Sequence, residues 1–410
     1  VTPQTSHSTK TPRISNVSLR PFILHHNFNM NPILFDRTSL TTYCQQHKIP
    51  AFRTKQIFQA IFNESITDID EMTTLPKELR EQLTQDFQIN TLSLDKIVEG
   101  EESTKFLFKM PDGMVMETVL MFHRHEKKEA DLGHRKILRS WTKAKITPET
   151  HELNRITLCI SSQVGCAVGC VFCVTGKLFK KNISREEMIM QILYANHYIR
   201  DKFRKEDGTR WKVRNVVFMG MGEPLLNYDA MKTAIEYMLD QQALGLSKRH
   251  VTISTSGVAT AINKLVEDGI DVRLALSLHA PNQELREQLM PLVAKRRKLP
   301  ELMEAIDHYV QATNNRLFYE YIMIKDSTDT SLIAHELGKL LTRRNAHVNL
   351  IPYNENPAMP DLVTSDFDTI LAFKKIVEHY GVTVTVRDTL GRNVKGACGQ
   401  LGYEKIAGKN

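Results

Sequence analysis

Gly165-Cys-Ala-Val-Gly-Cys-Val-Phe-Cys173 places Cys166, Cys170 and Cys173 in a Cys-x3-Cys-x2-Cys spacing on a glycine-rich stretch. Three thiolates this close in sequence can converge on one metal centre. A closed zinc or iron–sulfur site normally takes four protein ligands. A [4Fe-4S] cluster held by three cysteines keeps one iron open to a small molecule. The competing reading is a zinc knuckle with a distant fourth ligand, and the sequence after the triad argues against it.

Working outward, residues 155–161 read as a strand that delivers the cysteine stretch. Ser184-Arg-Glu-Glu187 is a capping box opening a long amphipathic helix. Strands at 213–219, 250–254, 272–278, 317–324 and 348–352 then alternate with helices at 229–242, 258–268, 299–313, 331–343 and 366–380. A strand at 382–387 closes the series. Gly269 and Gly381 stand where C-caps are needed. Six βα units in succession imply a parallel sheet with right-handed crossovers. The expected fold class is α/β, an incomplete (β/α)6 barrel of the TIM-like kind. Ligands of such sheets bind at the carboxyl ends of the strands, where the cysteine stretch begins. Other strand ends carry polar residues suited to that mouth. They are Gly222 and Glu223 in Gly220-Met-Gly-Glu-Pro224, Ser254 in Ser254-Thr-Ser-Gly257, Ser277-Leu278-His279, and Asn354 after Pro352-Tyr353. Each alone is more often a loop residue; their recurrence at successive strand ends strengthens the joint reading.

Before this body the pattern changes. Residues 39–87 read as helical, with Ile57, Phe58, Ile61 and Phe62 on one face and Pro76 opening a charged helix. A strand pair at 106–110 and 115–121 flanks the turn Pro111-Asp-Gly113 and carries Glu117. The pattern then breaks from His123 to Thr150, where eight lysines and arginines face four acidic residues. That run is expected to be a basic, mobile insertion able to contact RNA backbone. The first 35 residues hold no Asp or Glu and are rich in Ser, Thr and Pro. They lack the apolar stretch of a secretory signal, so a disordered tail is expected. Met30 is a candidate natural start. The expected organisation is a tail over 1–30, a helical accessory domain over 31–92 that binds RNA, a hairpin linker over 93–153 with the insertion at 123–150, and a catalytic core over 154–405.

The 410 residues suggest about two or three domains. Hydrophobic and charged fractions of 41% and 25% are ordinary for a globular protein. No stretch of about 18 uninterrupted apolar residues suggests a membrane span. Six cysteines, three of them clustered, do not read as a secreted disulfide scaffold. A reducing cytoplasmic setting is expected. A net charge of +7 permits a polyanionic partner.

At this point the chain resembles the RlmN/Cfr family of radical S-adenosylmethionine adenosine methyltransferases. The supporting runs are Arg155-Ile-Thr-Leu-Cys-Ile-Ser-Ser-Gln-Val-Gly-Cys166, Met219-Gly-Met-Gly-Glu-Pro-Leu-Leu-Asn227, Ser277-Leu-His-Ala280, Asn349-Leu-Ile-Pro-Tyr-Asn354 and Ala397-Cys-Gly-Gln-Leu401. The match covers roughly residues 31 to 405. The resemblance implies a radical SAM barrel whose [4Fe-4S] cluster is held by Cys166, Cys170 and Cys173. Two S-adenosylmethionine molecules would be used per turnover, bound by Gly222, Glu223, Ser254, Ser277, Leu278, His279 and Asn354. It also implies that Cys398 carries a methyl group and Cys159 resolves the product. In the family's reaction hydrogen is removed from the methyl group on Cys398, and the resulting carbon radical, still bound to sulfur, adds to the adenine ring and links protein to RNA. Glu117 aligns with the family's proton acceptor. Attack by Cys159 on the sulfur of Cys398 then releases RNA and leaves a transient disulfide. The two cysteines should therefore meet at the barrel mouth.

The implied activity is methylation of adenine carbon 2 in 23S rRNA and in the tRNA adenosine 3′ of the anticodon. Carbon 8 methylation, as in the Cfr branch, is the runner-up, and a non-catalytic zinc-containing RNA-binding protein is a remote alternative. An electron donor such as flavodoxin or ferredoxin, a monomeric state and no membrane association are expected. Two departures stand out. Arg392-Asn-Val-Lys-Gly396 replaces an acidic stretch common in the family, and the residues after Cys173 lack the usual glutamine. Lys180, Lys181 and the run Lys295-Arg-Arg-Lys298 are candidate phosphate contacts.

Overall fold

The computed structural model describes residues 33–126, 151–203, 209–387 and 390–402. The tail expected over 1–30, and all but the first four residues of the insertion expected over 123–150, lie outside the described residues. The chain opens with helices α1 (Arg37–Gln46), α2 (Phe52–Phe58) and α3 (Lys77–Asp86). Asp36 caps α1 by accepting from Ser39 N at 2.9 Å, and Pro76 occupies the N-cap of α3. The apolar face foreseen at Ile57, Phe58, Ile61 and Phe62 is buried, but α2 loosens into a π-helical turn over Gln59–Asn63. These helices have no core of their own. Phe35, Phe58 and Phe62 belong to the same continuous apolar cluster as Leu158, Ile253 and Leu274 in the body. The Arg37–Asp240 ion pair at 2.7 Å adds a polar tie.

Three antiparallel strands follow: β1 (Ser93–Glu99), β2 (Ser103–Lys109) and β3 (Val115–Glu126). The turn at Pro111-Asp-Gly113 joins the last two, pairing Lys109 with Val115. Strand β1 was not foreseen. It lies at the sheet edge, and its Asp95 and Lys96 hide any strand pattern. Strand β3 also continues past Met121, through the four residues assigned to the insertion. It pairs antiparallel with β4 (His151–Cys159) from Val119–Cys159 out to Glu126–His151. The insertion therefore joins the ends of a long hairpin, where extended backbone hydrogen bonds outweigh the weak strand signal of a polar run.

From β4 onward the strands of this sheet pair in parallel, through β5 (Asn215–Phe218), β6 (Val251–Thr255), β7 (Arg273–Ser277), β8 (Leu317–Met323), β9 (Ala346–Pro352) and β10 (Thr383–Val386). The ten strands lie side by side in sequence order, and β10 does not pair with β4. This is the open βα barrel expected from the alternation. The crossover helices are α4 (Arg185–Lys202), α5 (Tyr228–Leu239), α6 (Ala259–Glu267), α7 (Gln283–Leu289), α8 (Pro291–Ala294), α9 (Leu299–Thr313), α10 (Ser331–Leu341) and α11 (Phe367–His379). The capping box forms at α4: Ser184 N donates to Glu187 Oε2 at 2.7 Å, and Glu187 N donates to Ser184 Oγ at 3.2 Å. Each crossover buries an apolar stripe, such as Ile262 and Leu265 on α6, against the sheet.

After β10 the chain returns across the mouth. Val394 packs near Gly100, and Gly396 near Val119 of β3. Lys395 O accepts from Lys105 Nζ at 3.5 Å. Residues 390–402 thus form a strap from the last strand back to the antiparallel end of the sheet.

Candidate active site

The strand β4 ends at Cys159, and the cysteine loop follows. Gly165 there adopts φ +78°, and a Cβ on it would stand 1.8 Å from the carbonyl oxygen of Leu178. Only glycine allows the return segment to approach so closely. A two-residue ladder, Gln163 with Asn182 and Val164 with Lys181, closes the base of the loop. At its far side Val171 N donates to Leu289 O of α7 at 3.0 Å. The three cysteines of the loop are half-buried. Burial, with smaller contributions from the neighbouring Cys173 and Glu223, raises the Cys166 thiol to about 12. Burial also lifts Cys170 well above the ordinary range, with Cys173 and Cys166 adding to it. The thiols are therefore electrostatic neighbours. Among the described residues no three His, Cys, Asp or Glu groups converge as ligands of one ion. A polynuclear cluster with one thiolate per iron does not need such convergence. Three soft thiol donors on one partly buried loop fit a [4Fe-4S] centre.

Around this loop the strand ends assemble. Phe172 is buried and meets the His279 ring edge-on at 5.0 Å. His279 has φ +57°, and its Nδ1 accepts from Ile322 N at 3.2 Å. Burial first, then the Arg286 charge, lowers its pKa to about 3. The ring is therefore neutral at physiological pH, with the proton on Nε2. This gives stability a defined pH slope. An unfolded histidine titrates near its ordinary value of 6.5. Below that pH the unfolded chain takes up a proton that the folded chain refuses, so stability falls as pH drops toward 3. The loss is about 1.4 kcal/mol per pH unit. His279→Gln removes this contribution, and urea unfolding of both proteins between about pH 5 and 6.5 measures it. A variant with the wild-type slope would show that His279 titrates normally in the fold.

Glu223 is buried, and burial raises its pKa against the hydrogen bonds that it accepts. Its Oε2 takes Ser256 N and Ser256 Oγ, each at 2.7 Å, and Oε1 takes Leu225 N at 3.1 Å. The Thr255 side chain also hydrogen-bonds this carboxylate and lowers its pKa. Gly222 has φ +106°, and a Cβ there would lie 2.6 Å from Gln163 Cβ. Ser254 lies within β6 opposite Ala275, one residue before the strand ends. Ser277 and Leu278 present their carbonyls to Arg286. Asn354 donates to Cys398 O at 3.1 Å and accepts from Arg392 Nε at 3.0 Å.

The strap brings Cys398 to this mouth. Val174 N donates to Gly399 O at 3.0 Å, and Thr175 Oγ1 donates to Leu401 O at 2.9 Å, tying the strap to the cysteine loop. Cys398 is exposed and Cys159 is buried. Burial is the main cause that raises Cys159 to about 12, with Cys398 the second. Cys398 is raised as well, first by the protein packed around its sulfur, and Arg387 opposes the shift. The Arg387 guanidinium faces both thiols. It is held by Glu320 Oε2 at 3.1 Å, and Asn349 Nδ2 donates to Glu320 Oε1 at 2.9 Å. The two cysteines, from opposite ends of the catalytic body, thus lie within electrostatic reach of one another and of Arg387.

Glu117 is buried on β3, paired with Lys105 Nζ at 3.4 Å, and both side chains are nearly inaccessible. Ser161 Oγ donates to its carbonyl at 2.6 Å. The Lys105–Glu117 pair lies under the strap, because Lys105 also reaches Lys395 O. Among the proposed phosphate contacts, Lys181 pairs with Asp112 and Lys298 pairs with Glu287 at 2.9 Å. Sequence reasoning missed Gln163, Ser256, Arg286, Glu320 and Arg387. Gln163 and Ser256 lay inside quoted runs without being singled out; the others had no local signal.

Known proteins agree with this geometry. Residues 160–336 match the Radical SAM superfamily, and residues 30–89 match the ribosomal RNA large subunit methyltransferase N-terminal domain. The probable dual-specificity RNA methyltransferase RlmN of Dictyoglomus thermophilum is 36% identical over 91% of this chain and 97% of its own length. The corresponding protein of Aquifex aeolicus is 39% identical over 87% of this chain and 92% of its own. A crystal structure of a radical SAM methyltransferase from Sphaerobacter thermophilus superposes with a TM-score of 0.77. It is 34% identical and covers 90% of this chain and 98% of its own. Thiol loop, open barrel, cysteine strap and full-length kinship converge: this chain belongs to the RlmN family of radical SAM RNA methyltransferases, enzymes of a [4Fe-4S] cluster and S-adenosylmethionine.

Proposed function

We propose that the enzyme methylates carbon 2 of adenosine in 23S rRNA and in the tRNA adenosine 3′ of the anticodon, through a methylated Cys398. The observation that supports this reading most is that Cys398 and Cys159 lie within electrostatic reach of each other and of Arg387. Two thiols facing one cation suit a sequence in which one sulfur carries the methyl group and the other attacks it. Cys166, Cys170 and Cys173 would hold the cluster, which when bound supplies the electron for reductive cleavage of S-adenosylmethionine. Glu223, with Gly222, Ser254, Ser277, Leu278, His279 and Asn354 around it, would bind that molecule's polar groups. Gly222 lets backbone approach the ligand, and neutral His279 offers a donor without adding charge. Glu117 would accept the ring proton, since a carboxylate is a competent base, and it is positioned by its pairing with Lys105. Cys159 then attacks the sulfur of Cys398, and a reductant restores both thiols.

The helical segment would contact RNA. Phe52 is 55% exposed, and the Arg53 guanidinium lies 4.8 Å from its ring centroid. An exposed aromatic beside a cation suits base stacking. We further propose a monomer served by flavodoxin or ferredoxin. No described helix is long and apolar enough to cross a membrane.

Regiochemistry is tested by the product. RNA incubated anaerobically with reconstituted enzyme, S-adenosylmethionine and reductant is digested and resolved by mass spectrometry. The expected product is 2-methyladenosine in both RNA classes. 8-Methyladenosine alone would place the enzyme with the Cfr branch, and methylation of only one RNA would narrow the substrate.

A further inference from the structure

Helix α7 is docked on the cysteine loop. Its Leu289 accepts from Val171 N, between Cys170 and Cys173, and Leu289 packs against Phe172. One turn earlier on the same helix stands Arg286, with no exposed surface at all. Its Nη1 donates to Leu278 O at 2.8 Å and to Ser277 O at 3.3 Å, and its Nη2 donates to Ser256 O. All three acceptors are carbonyls at the ends of β6 and β7. Its Nε finds no acceptor. No carboxylate among the described residues forms an ion pair with it. Gly257 is shaped around it: a Cβ there would stand 2.9 Å from Nη2.

A buried cation with only carbonyl partners is costly, because dipoles replace hydration without cancelling the charge. Burial lowers Arg286 to about 10, which leaves it charged at neutral pH. The anions that favour its charge are Cys170 first and Glu223 second. An iron–sulfur centre bound by three thiolates is a net anion, and one-electron reduction makes it more so. Such a centre would add negative charge where Cys170 already favours the guanidinium's charge.

We propose that Arg286 is the buried counter-ion of the iron–sulfur centre, a positioning residue that favours its reduced state while holding the ends of β6 and β7 against the cysteine loop. This rests on the ligand reading of Cys166, Cys170 and Cys173. The same guanidinium serves two ends. Its carbonyl contacts tie the ends of β6 and β7 together just before His279, and its charge lowers the energy of the added electron.

The test compares Arg286→Gln with Arg286→Lys. Glutamine keeps donors for the carbonyls and loses the charge; lysine keeps the charge and loses the fork. Wild type and both variants are reconstituted anaerobically, their iron is counted, and the cluster midpoint potential is read by EPR-monitored titration. Arg286→Gln is expected to lower the reduced-to-oxidised ratio at fixed potential at least tenfold, a shift of about 59 mV for one electron. Arg286→Lys is expected to stay near wild type. A wild-type potential in Arg286→Gln, or equal shifts in both variants, would overturn the proposal. If the glutamine apoprotein does not melt cooperatively, the lysine variant decides alone: a near-native potential supports the charge role, and a tenfold displacement refutes it. Wild-type protein that takes up no iron would overturn the ligand reading itself, before either variant is examined.

Discussion

Cys398→Ala yields neither methylated RNA nor a protein–RNA adduct, whereas Cys159→Ala accumulates an adduct and releases little product. The asymmetry follows from the proposed chemistry and the positions of the two sulfurs. Cys398 is an exposed residue of the strap, and Cys159 is buried at the end of β4. Removing the sulfur that carries the methyl group removes the first covalent step. A loss on the order of 10³-fold or more is expected, as for a covalent nucleophile. Removing the resolving sulfur leaves that step intact and blocks the last one. The Cys159 thiol, held near 12, is almost wholly protonated at neutral pH. Its attack therefore needs deprotonation at the moment of release, beside the positive charge of Arg387. The adduct is read as an RNA-linked band under denaturing, reducing conditions and by mass spectrometry of the Cys398 peptide. Methylated RNA from Cys398→Ala above a few per cent of wild type would refute the assignment.

Alanine in place of Cys166, Cys170 or Cys173 has a comparably large effect of a different kind. Iron falls from about four per chain to background, since two thiolates do not retain a cluster that normally relies on protein cysteines. The brown chromophore, 5′-deoxyadenosine formation and RNA methylation are lost together. The fold is expected to survive, because each replacement removes one sulfur from a half-buried loop and costs about 1 kcal/mol. Far-UV circular dichroism and a thermal melt of the apoprotein check this. A triad variant that kept about four irons and the wild-type spectrum would mean that the ligands lie elsewhere.

The parts that were legible in sequence share a physical cause. Strands β4 to β10 are buried by crossover helices, so they appear as short apolar runs separated by amphipathic periods. Helix α9 was expected over 299–313 and spans Leu299–Thr313. The cysteine spacing and the Ser184 capping box were legible because both are local patterns. What escaped detection depends on distant neighbours. Strand β1 is an edge strand with charges in its middle, and the stretch 123–126 of β3 is polar throughout; both are strands because a partner supplies hydrogen bonds. Helices α7 and α8 are too short to show a period. The left-handed backbone of His279 and the burial of Arg286 are set by the β8 and β6 chains beside them. Glu223 was legible as a ligand candidate, but its engagement with Ser256 was not, because that hydroxyl comes from another strand end.

The strap has a temporal consequence. Everything that forms the thiol loop, from β4 through α7, has been synthesised long before residues 390–402 emerge. A nascent chain can therefore acquire the residues that hold iron while it still lacks Cys398. Closing the strap back onto β3 is the most non-local contact in the mouth, and such contacts form late. Assembly thus has a built-in order in which the sulfur that reacts with RNA arrives last. A chain terminated before the strap would be a nearly complete barrel with an intact cluster loop and no means of attaching itself to RNA.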